Sequence, residues 1–200
     1  NSLSINSLMN EGFENITLIN YLLSTGTSKN FSKEKKIEII IKNFDIQSLA
    51  KSSPKFSINE LKILNKEILK IYDYNDVKNK YEFFNINDAN QNFWNFVKNN
   101  INFFKESFEW LKIIKSEEYF ESNSKNLLLE ASRLLPEEPY DDNTWDEWIK
   151  LIKNKTGKGG KDLFLPIRIA LTGKEIGPEL KYLIPLLSKE HILKKLGQAK

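Results

Sequence analysis

Gly157-Lys158-Gly159-Gly160-Lys161 and, seven residues on, Arg168 are the residues of this chain whose types and spacing best suit chemistry. Glycines expose backbone N–H groups at a helix start, and lysines add charge, so the stretch suits an anionic oxygen such as a backbone phosphate. It lacks the G-x-x-x-x-G-K-[ST] pattern and no strand precedes it, so a nucleoside triphosphate loop is not expected. Arg168 is one of only two arginines, with Arg133, among 30 basic residues. A planar, permanently charged fork on a short apolar helix is a different tool from a mobile lysine. Elsewhere the chemistry thins out. The single histidine, His191, lies in a helical pattern beside Glu190, and a surface or half-buried structural role is expected of it. The adjacent pairs Glu117-Glu118, Glu137-Glu138 and Asp141-Asp142 read as solvated turns, because sequence neighbours do not face one site. No Ser/His/Asp arrangement and no metal-ligand spacing emerges, so neither a catalytic residue nor a metal site is predicted.

Charge singles out the same end of the chain. Residues 1–148 hold 18 basic and 23 acidic side chains, net −5; residues 149–200 hold 12 and 4, net +8. That asymmetry favours a polyanionic partner, nucleic acid ahead of a membrane. With no cysteine, disulfides and thiolate metal sites are excluded and a reducing compartment is expected. No apolar run approaches the roughly 20 residues that span a bilayer, and the start Asn1-Ser2-Leu3-Ser4 has no signal-peptide character. A first residue other than methionine is expected of a piece cut from a longer protein.

The elements that must position these residues read as helices throughout. Residues 6–23 carry apolar positions at helical spacing, broken at Gly12 into two helices with Gly26 as the second stop. The isoleucines at 37, 39, 40 and 41 are predicted helical despite their β-branching, with Ser32 as cap. Ser57-Ile58-Asn59-Glu60 is a capping box, and Thr144-Trp145-Asp146-Glu147 a second one. Residues 73–79 read as a polar loop. The aromatics from Phe93 to Trp110 could offer a stacking platform for bases, but rings at this spacing are expected in the core. Ile101 to Ile114 continue the helical pattern, Ser122 or Ser124 caps a helix through Leu135, Pro166 suits a first helical turn, and Gly173 suits a helix stop. Near-absence of period-2 alternation predicts an all-α fold. Three parts are expected: a helical region over 1–72, then helical subdomains over 73–135 and 136–200.

Residues 157–196, GKGGKDLFLPIRIALTGKEIGPELKYLIPLLSKEHILKKL, closely resemble the C-terminal anticodon-binding end of bacterial glutamyl-tRNA synthetases. The pattern G-K-x-L-F-x-P-[LI]-R-x-A-L-T-G, then G-P-E-L, then I-P-L-L-x-K-E carries the specificity. Upstream, Phe44-Asp45, Ala50 to Phe56 and Leu64-Asn65 resemble the family's F-D…S-K-S-P-A-K-F…L-N segment, with an extra serine before Pro54. Residues 3–28 resemble the stretch after the K-M-S-K-S-type loop, while residues 74–124 match only loosely. The resemblance implies a truncated class I synthetase: a helical bundle followed by a smaller C-terminal helical anticodon-binding subdomain. The Rossmann domain that uses ATP and magnesium to activate glutamate would lie outside this chain, leaving no cofactor here. It further implies anticodon contacts from Arg168, Gly177, Pro178 and Leu180, and contact of Lys51 with the inner corner of the tRNA. Lys158, Lys161 and Lys174 are the expected phosphate contacts. The implied partner is glutamate tRNA, with glutamine tRNA a further candidate, for a cytoplasmic monomer. On the residues alone, a helical protein-binding adaptor and a helix-turn-helix DNA binder reading with residues 188–196 stay open.

Overall fold

The computed structural model describes residues 4–27, 33–50, 55–120 and 124–197. Among them are twelve α-helices and no strand, only one isolated bridge between Thr27 and Leu49, so the fold is all-α. The helices divide between two compact units, residues 1–86 with 98–107 and residues 87–97 with 108–200.

The first unit starts with α1 (Ile5–Glu11) and α2 (Asn15–Gly26), separated by Gly12 at φ 104°, a left-handed stop open to glycine. α3 (Ile37–Asn43) and α4 (Ile58–Ile71) follow, then α5 (Tyr74–Phe83). Leu8, Phe13, Leu18, Tyr21 and Leu61 form a buried cluster against Ile58, Leu64 and Phe103. The buried amide of Asn65 ties this core to two loops: it donates to the Asn102 carbonyl at 2.6 Å and accepts from the Glu14 N–H at 2.9 Å.

Several sequence expectations shift here for local reasons. Ser57 caps α4 by accepting from the Glu60 N–H at 3.3 Å. Residues 74–83 are helical, not a loop, because Asp73 and Asp76 form a reciprocal capping box that Lys35 bridges at 2.9 and 2.6 Å. α3 starts at Ile37, later than expected, since the Asn20 side chain clamps the Glu34 backbone with bonds of 2.9 and 3.1 Å. The expected cap Ser32 lies outside the described residues. Ile101 to Lys105 are turns rather than helix, because Glu106 accepts from the Asn102 N–H at 2.8 Å and fixes a new start.

The second unit contains α6 (Gln91–Val97), the body of α7 (Glu106–Lys115), α8 (Lys125–Arg133), α9 (Thr144–Thr156), α10 (Lys161–Thr172), α11 (Leu180–Leu183) and α12 (Lys189–Lys195). Its core is aromatic. Trp94 and Trp148 are fully buried, the Trp148 indole donates to the Ala131 carbonyl at 2.9 Å, and Trp110 stands edge-on to Phe96 at 5.7 Å. The rings of α6 are therefore core, as their spacing suggests. Two details differ from expectation. Thr144 is inside α9, and Asp141 performs the capping by accepting from the N–H groups of Asn143 and Thr144 at 2.9 and 3.0 Å. Pro166 sits midway along α10, where its missing N–H forfeits the bond to the Asp162 carbonyl; the helix starts at Lys161, a full turn before the proline.

Candidate functional site

The glycine-rich loop owes its composition to two helix ends. Gly157, at φ 67°, closes α9 by donating to the Lys153 carbonyl at 2.8 Å. Gly160, at φ 53°, opens α10, its carbonyl accepting from the Leu163 and Phe164 N–H groups at 3.2 and 3.0 Å. Both are conformations that other residues rarely adopt. A Cβ on Gly157, Gly159 or Gly160 would meet nothing within 4 Å, so the loop is open on the outside. Lys158 and Lys161 are exposed, and with Ser124, Asp162, Leu165 and Pro166 they rim a shallow depression of about 450 Å³.

Arg168 projects from α10 toward the turn over 173–179. The guanidinium donates to the Pro178 carbonyl at 2.8 Å, which fixes the fork's direction while leaving other N–H groups unspent. Burial of the side chain lowers its pKa and the nearby Glu179 carboxylate opposes that shift; arginine stays cationic regardless. The turn is clamped from three further directions. Gly173, at φ 68°, ends α10 beneath the Phe120 ring, whose Cζ lies 2.5 Å from where a Cβ would be. The Trp110 indole lies over Gly177, with Cη2 2.2 Å from the equivalent position. Lys174 reaches back across that indole, 5.9 Å from its centre, to the Glu109 carboxylate at 2.6 Å.

The expected contact residues thus separate. Arg168 and the Gly177 backbone meet at one turn. Pro178 and Leu180 are buried, Leu180 at 3 % exposure, and the apolar side chain the turn presents outward is Ile176 at 85 %. Lys174 is already ion-paired, whereas Lys158 and Lys161 have no ion-pair partner among the described residues. Lys51 lies outside the described residues.

Folding also redistributes the charge. The second unit as a whole carries 16 basic and 16 acidic residues, net zero, and the first carries 14 and 11, net +3. Acidic residues from earlier in the chain pair with the basic tail: Glu109 with Lys174, Asp146 with Lys181, Glu137 with Lys189 and Glu117 with Lys194. Lys150, Lys155, Lys158 and Lys161, around the end of α9 and the start of α10, have no ion-pair partner among the described residues.

A second feature escaped sequence reasoning. Asn92 and Asn95 of α6 join Tyr140, Asp141, Asp142, Asn143, Tyr182 and Pro185 around a polar cleft of about 540 Å³. Its amides donate and accept on one side, and two tyrosine rings offer flat apolar faces. The Tyr140 phenol, pushed up to about 12 by burial and by Glu138 and Glu137, stays protonated and donates to the Pro136 carbonyl. Only the approach of α6 to α11 brings Asn92 near Tyr182, a pairing invisible to local pattern.

Among the described residues no three His, Cys, Asp or Glu side chains cluster as metal ligands, and no helix is long and apolar enough to cross a membrane. The His191 ring contacts the Ser116 carbonyl at 3.0 Å, and burial lowers its pKa. α12 is also a poor groove reader: Ile192 and Lys195 are buried, and Lys195 is bonded to the Ile113 carbonyl at 3.3 Å.

Three comparisons bear on these observations. A family model described as an anticodon binding domain matches residues 66–200. Glutamate–tRNA ligase 2 of Bartonella bacilliformis is 36% identical over 198 residues, covering 97% of this chain and 43% of that protein. Glutamate–tRNA ligase 1 of Ehrlichia chaffeensis is 34% identical over 196 residues, covering 97% and 44%. The crystal structure of a glutamate-tRNA synthetase from Elizabethkingia anophelis superposes with a TM-score of 0.71 over 95% of this chain and 41% of that one, at 20% identity, a likeness of fold. The chain therefore spans less than half the length of the curated relatives it matches.

Proposed function

Because the chain belongs to the anticodon-binding domain family, in the form found in glutamate–tRNA ligases, we propose that it is the part of such a ligase that grips glutamate tRNA and reads its anticodon. The observation that carries the reading is Arg168, whose guanidinium is pinned to the Pro178 carbonyl with donors left over. Anticodon bases can be splayed out and bonded on their Watson–Crick edges, and a fixed planar fork suits that task. Lys158 and Lys161, with no ion-pair partner among the described residues, suit phosphates, whose contribution is sequence-independent. The cleft lined by Asn92, Asn95, Tyr140 and Tyr182 has the amides and ring faces that a second unstacked base would need.

ATP and magnesium belong in this proposal to the remainder of the parent ligase. The loop over 157–161 joins two helices, and the described residues offer no carboxylate cluster for a divalent ion. Glutamylation is assigned to that remainder, in a cytoplasmic, monomeric enzyme whose partner is glutamate tRNA, with glutamine tRNA a further candidate.

The test is a binding series with glutamate tRNA, a non-cognate tRNA and duplex DNA over several salt concentrations. Arg168→Ala should weaken glutamate tRNA by about 1–3 kcal/mol and relax discrimination at one anticodon base. Arg168→Lys, which keeps the charge and loses the fork, should lose the same discrimination. Equal losses for cognate and non-cognate tRNA would end the base-reading role.

A further inference from the structure

The first unit carries an aromatic surface that its own core does not need. Phe83, at the end of α5, is 79 % exposed, and Phe84 stands edge-on to it at 5.1 Å. Exposing one large ring so fully costs hydrophobic free energy that a turn residue of any polar type would avoid. Beside the pair is a cleft of about 350 Å³ walled by Met9, Phe13 and Phe104, with Asn79 at its edge. Two ammonium groups mark its borders. Lys105 lies 5.5 Å above the Phe84 ring with no ion-pair partner among the described residues, and Lys80 is held 5.2 Å over Phe104 by the buried Glu14 carboxylate. This unit is also the one with excess positive charge, +3 against zero for the other.

We infer that this cleft is a docking site for an unstacked nucleobase of an RNA strand, stacked on Phe83 with its flanking phosphate on Lys105. The inference rests on the proposed function for the identity of the polymer, and its own content is a second, stacking contact on the first unit. Flat rings accept any base through its π-face, while a free lysine supplies the counter-charge for the backbone. An amide at the rim, that of Asn79, gives one donor and one acceptor to the base edge. A polypeptide side chain would use the rings but has no call on Lys105, whose charge an apolar partner would have to strip of water.

The test uses 5-fluorotryptophan in the full chain carrying Phe83→Trp. The four native tryptophans, 94, 110, 145 and 148, give four fluorine resonances and the substitution adds a fifth. Titration with glutamate tRNA, and separately with a ten-nucleotide single-stranded uridine RNA, should shift the fifth resonance to saturation. Phe83→Ala should weaken tRNA about tenfold, within the range of one lost stacking contact, and leave the salt slope unchanged. Lys105→Ala should lower that slope by about one unit. RNA that binds without moving the fifth resonance would overturn the inference while leaving the anticodon reading intact. A fifth resonance that moves with protein concentration alone would assign the rings to a protein contact, and also overturn it. Absence of any RNA binding would overturn both.

Discussion

Gly177→Ala tests the clamp that shapes the Arg168 turn, and its magnitude can be worked from distances. The added methyl would lie 2.2 Å from Cη2 and 2.7 Å from Cζ2 of Trp110. Ordinary carbon contacts are about 3.5–4.0 Å, so the indole or the turn must yield by more than an ångström. Neither is free to do so cheaply. Trp110 is 8 % exposed, stands against Phe96 at 5.7 Å and lies under Lys174, while the Pro178 carbonyl is held by Arg168 at 2.8 Å. Backbone strain adds nothing, because Gly177 is not at positive φ. Overpacking of this kind costs about 1–3 kcal/mol. Urea denaturation followed by circular dichroism should show that loss, and tRNA affinity should fall with it as Pro178 shifts away from Arg168. In a double-mutant cycle with Trp110→Leu the clash disappears, so the combined loss should be smaller than the sum of the single losses by at least about 1 kcal/mol. A coupling energy near zero would refute the clamp. Unchanged affinity for tRNA in the destabilised single variant would separate the turn from the RNA interface.

Three further outcomes follow from the same geometry. Lys158→Ala and Lys161→Ala should each weaken all tRNAs alike and reduce the salt slope by about one unit, measured by filter binding across salt; a change confined to one tRNA would contradict phosphate contact. Asn65→Leu, nearly isosteric but unable to bond, should cost about 2–4 kcal/mol in denaturant unfolding by stranding the buried Glu14 N–H and Asn102 carbonyl. Its effect on binding should follow from stability alone. For His191 the folded pKa is depressed, first by burial and then by Lys195 and Lys194, against the Ser116 carbonyl and Glu117. The unfolded chain therefore binds the proton more readily, and stability falls as pH drops through the ordinary histidine value near 6.5. Urea midpoints at pH 7.5 and 5.5 should differ more in the parent than in His191→Gln, and an equal difference would contradict the burial.

What the sequence made legible was whatever is local. Helix ends at Gly12, Gly157 and Gly173 were readable because a left-handed residue leaves a mark in composition. The core status of Phe93, Trp94 and Phe96 was readable from spacing. The Asp73–Asp76 box was missed because it uses two aspartates where serine or threonine with glutamate is the familiar signature. Pro166 misled because proline marks a helix start only statistically; here packing of Leu163 and Ile167 carries the helix through it. The cleft at Asn92 and Tyr182 was out of reach, since residues about ninety apart meet there only after the helices pack.

Charge shows why the candidate site sharpened only on folding. Counted along the chain, residues 149–200 are net +8 and promise a broad positive face. Counted within the unit they fold into, that excess is cancelled by residues 87–97 and 108–148, which hold 12 acidic and 4 basic side chains, net −8, and four of the carboxylates, Asp146, Glu137, Glu109 and Glu117, pair directly with lysines 35 to 77 positions away. Each such surface pair contributes little stability, about 0–1 kcal/mol, but together they remove the long-range field. With a Debye length near 8 Å in physiological salt, an approaching polyanion senses individual clusters rather than a segment's sum. Among the lysines left over are those at the α9–α10 loop, next in sequence to the one arginine whose fork is already aimed. Affinity in this reading comes from a few unneutralised lysines and specificity from Arg168, so salt and anticodon substitution should act on separable terms of the same binding curve.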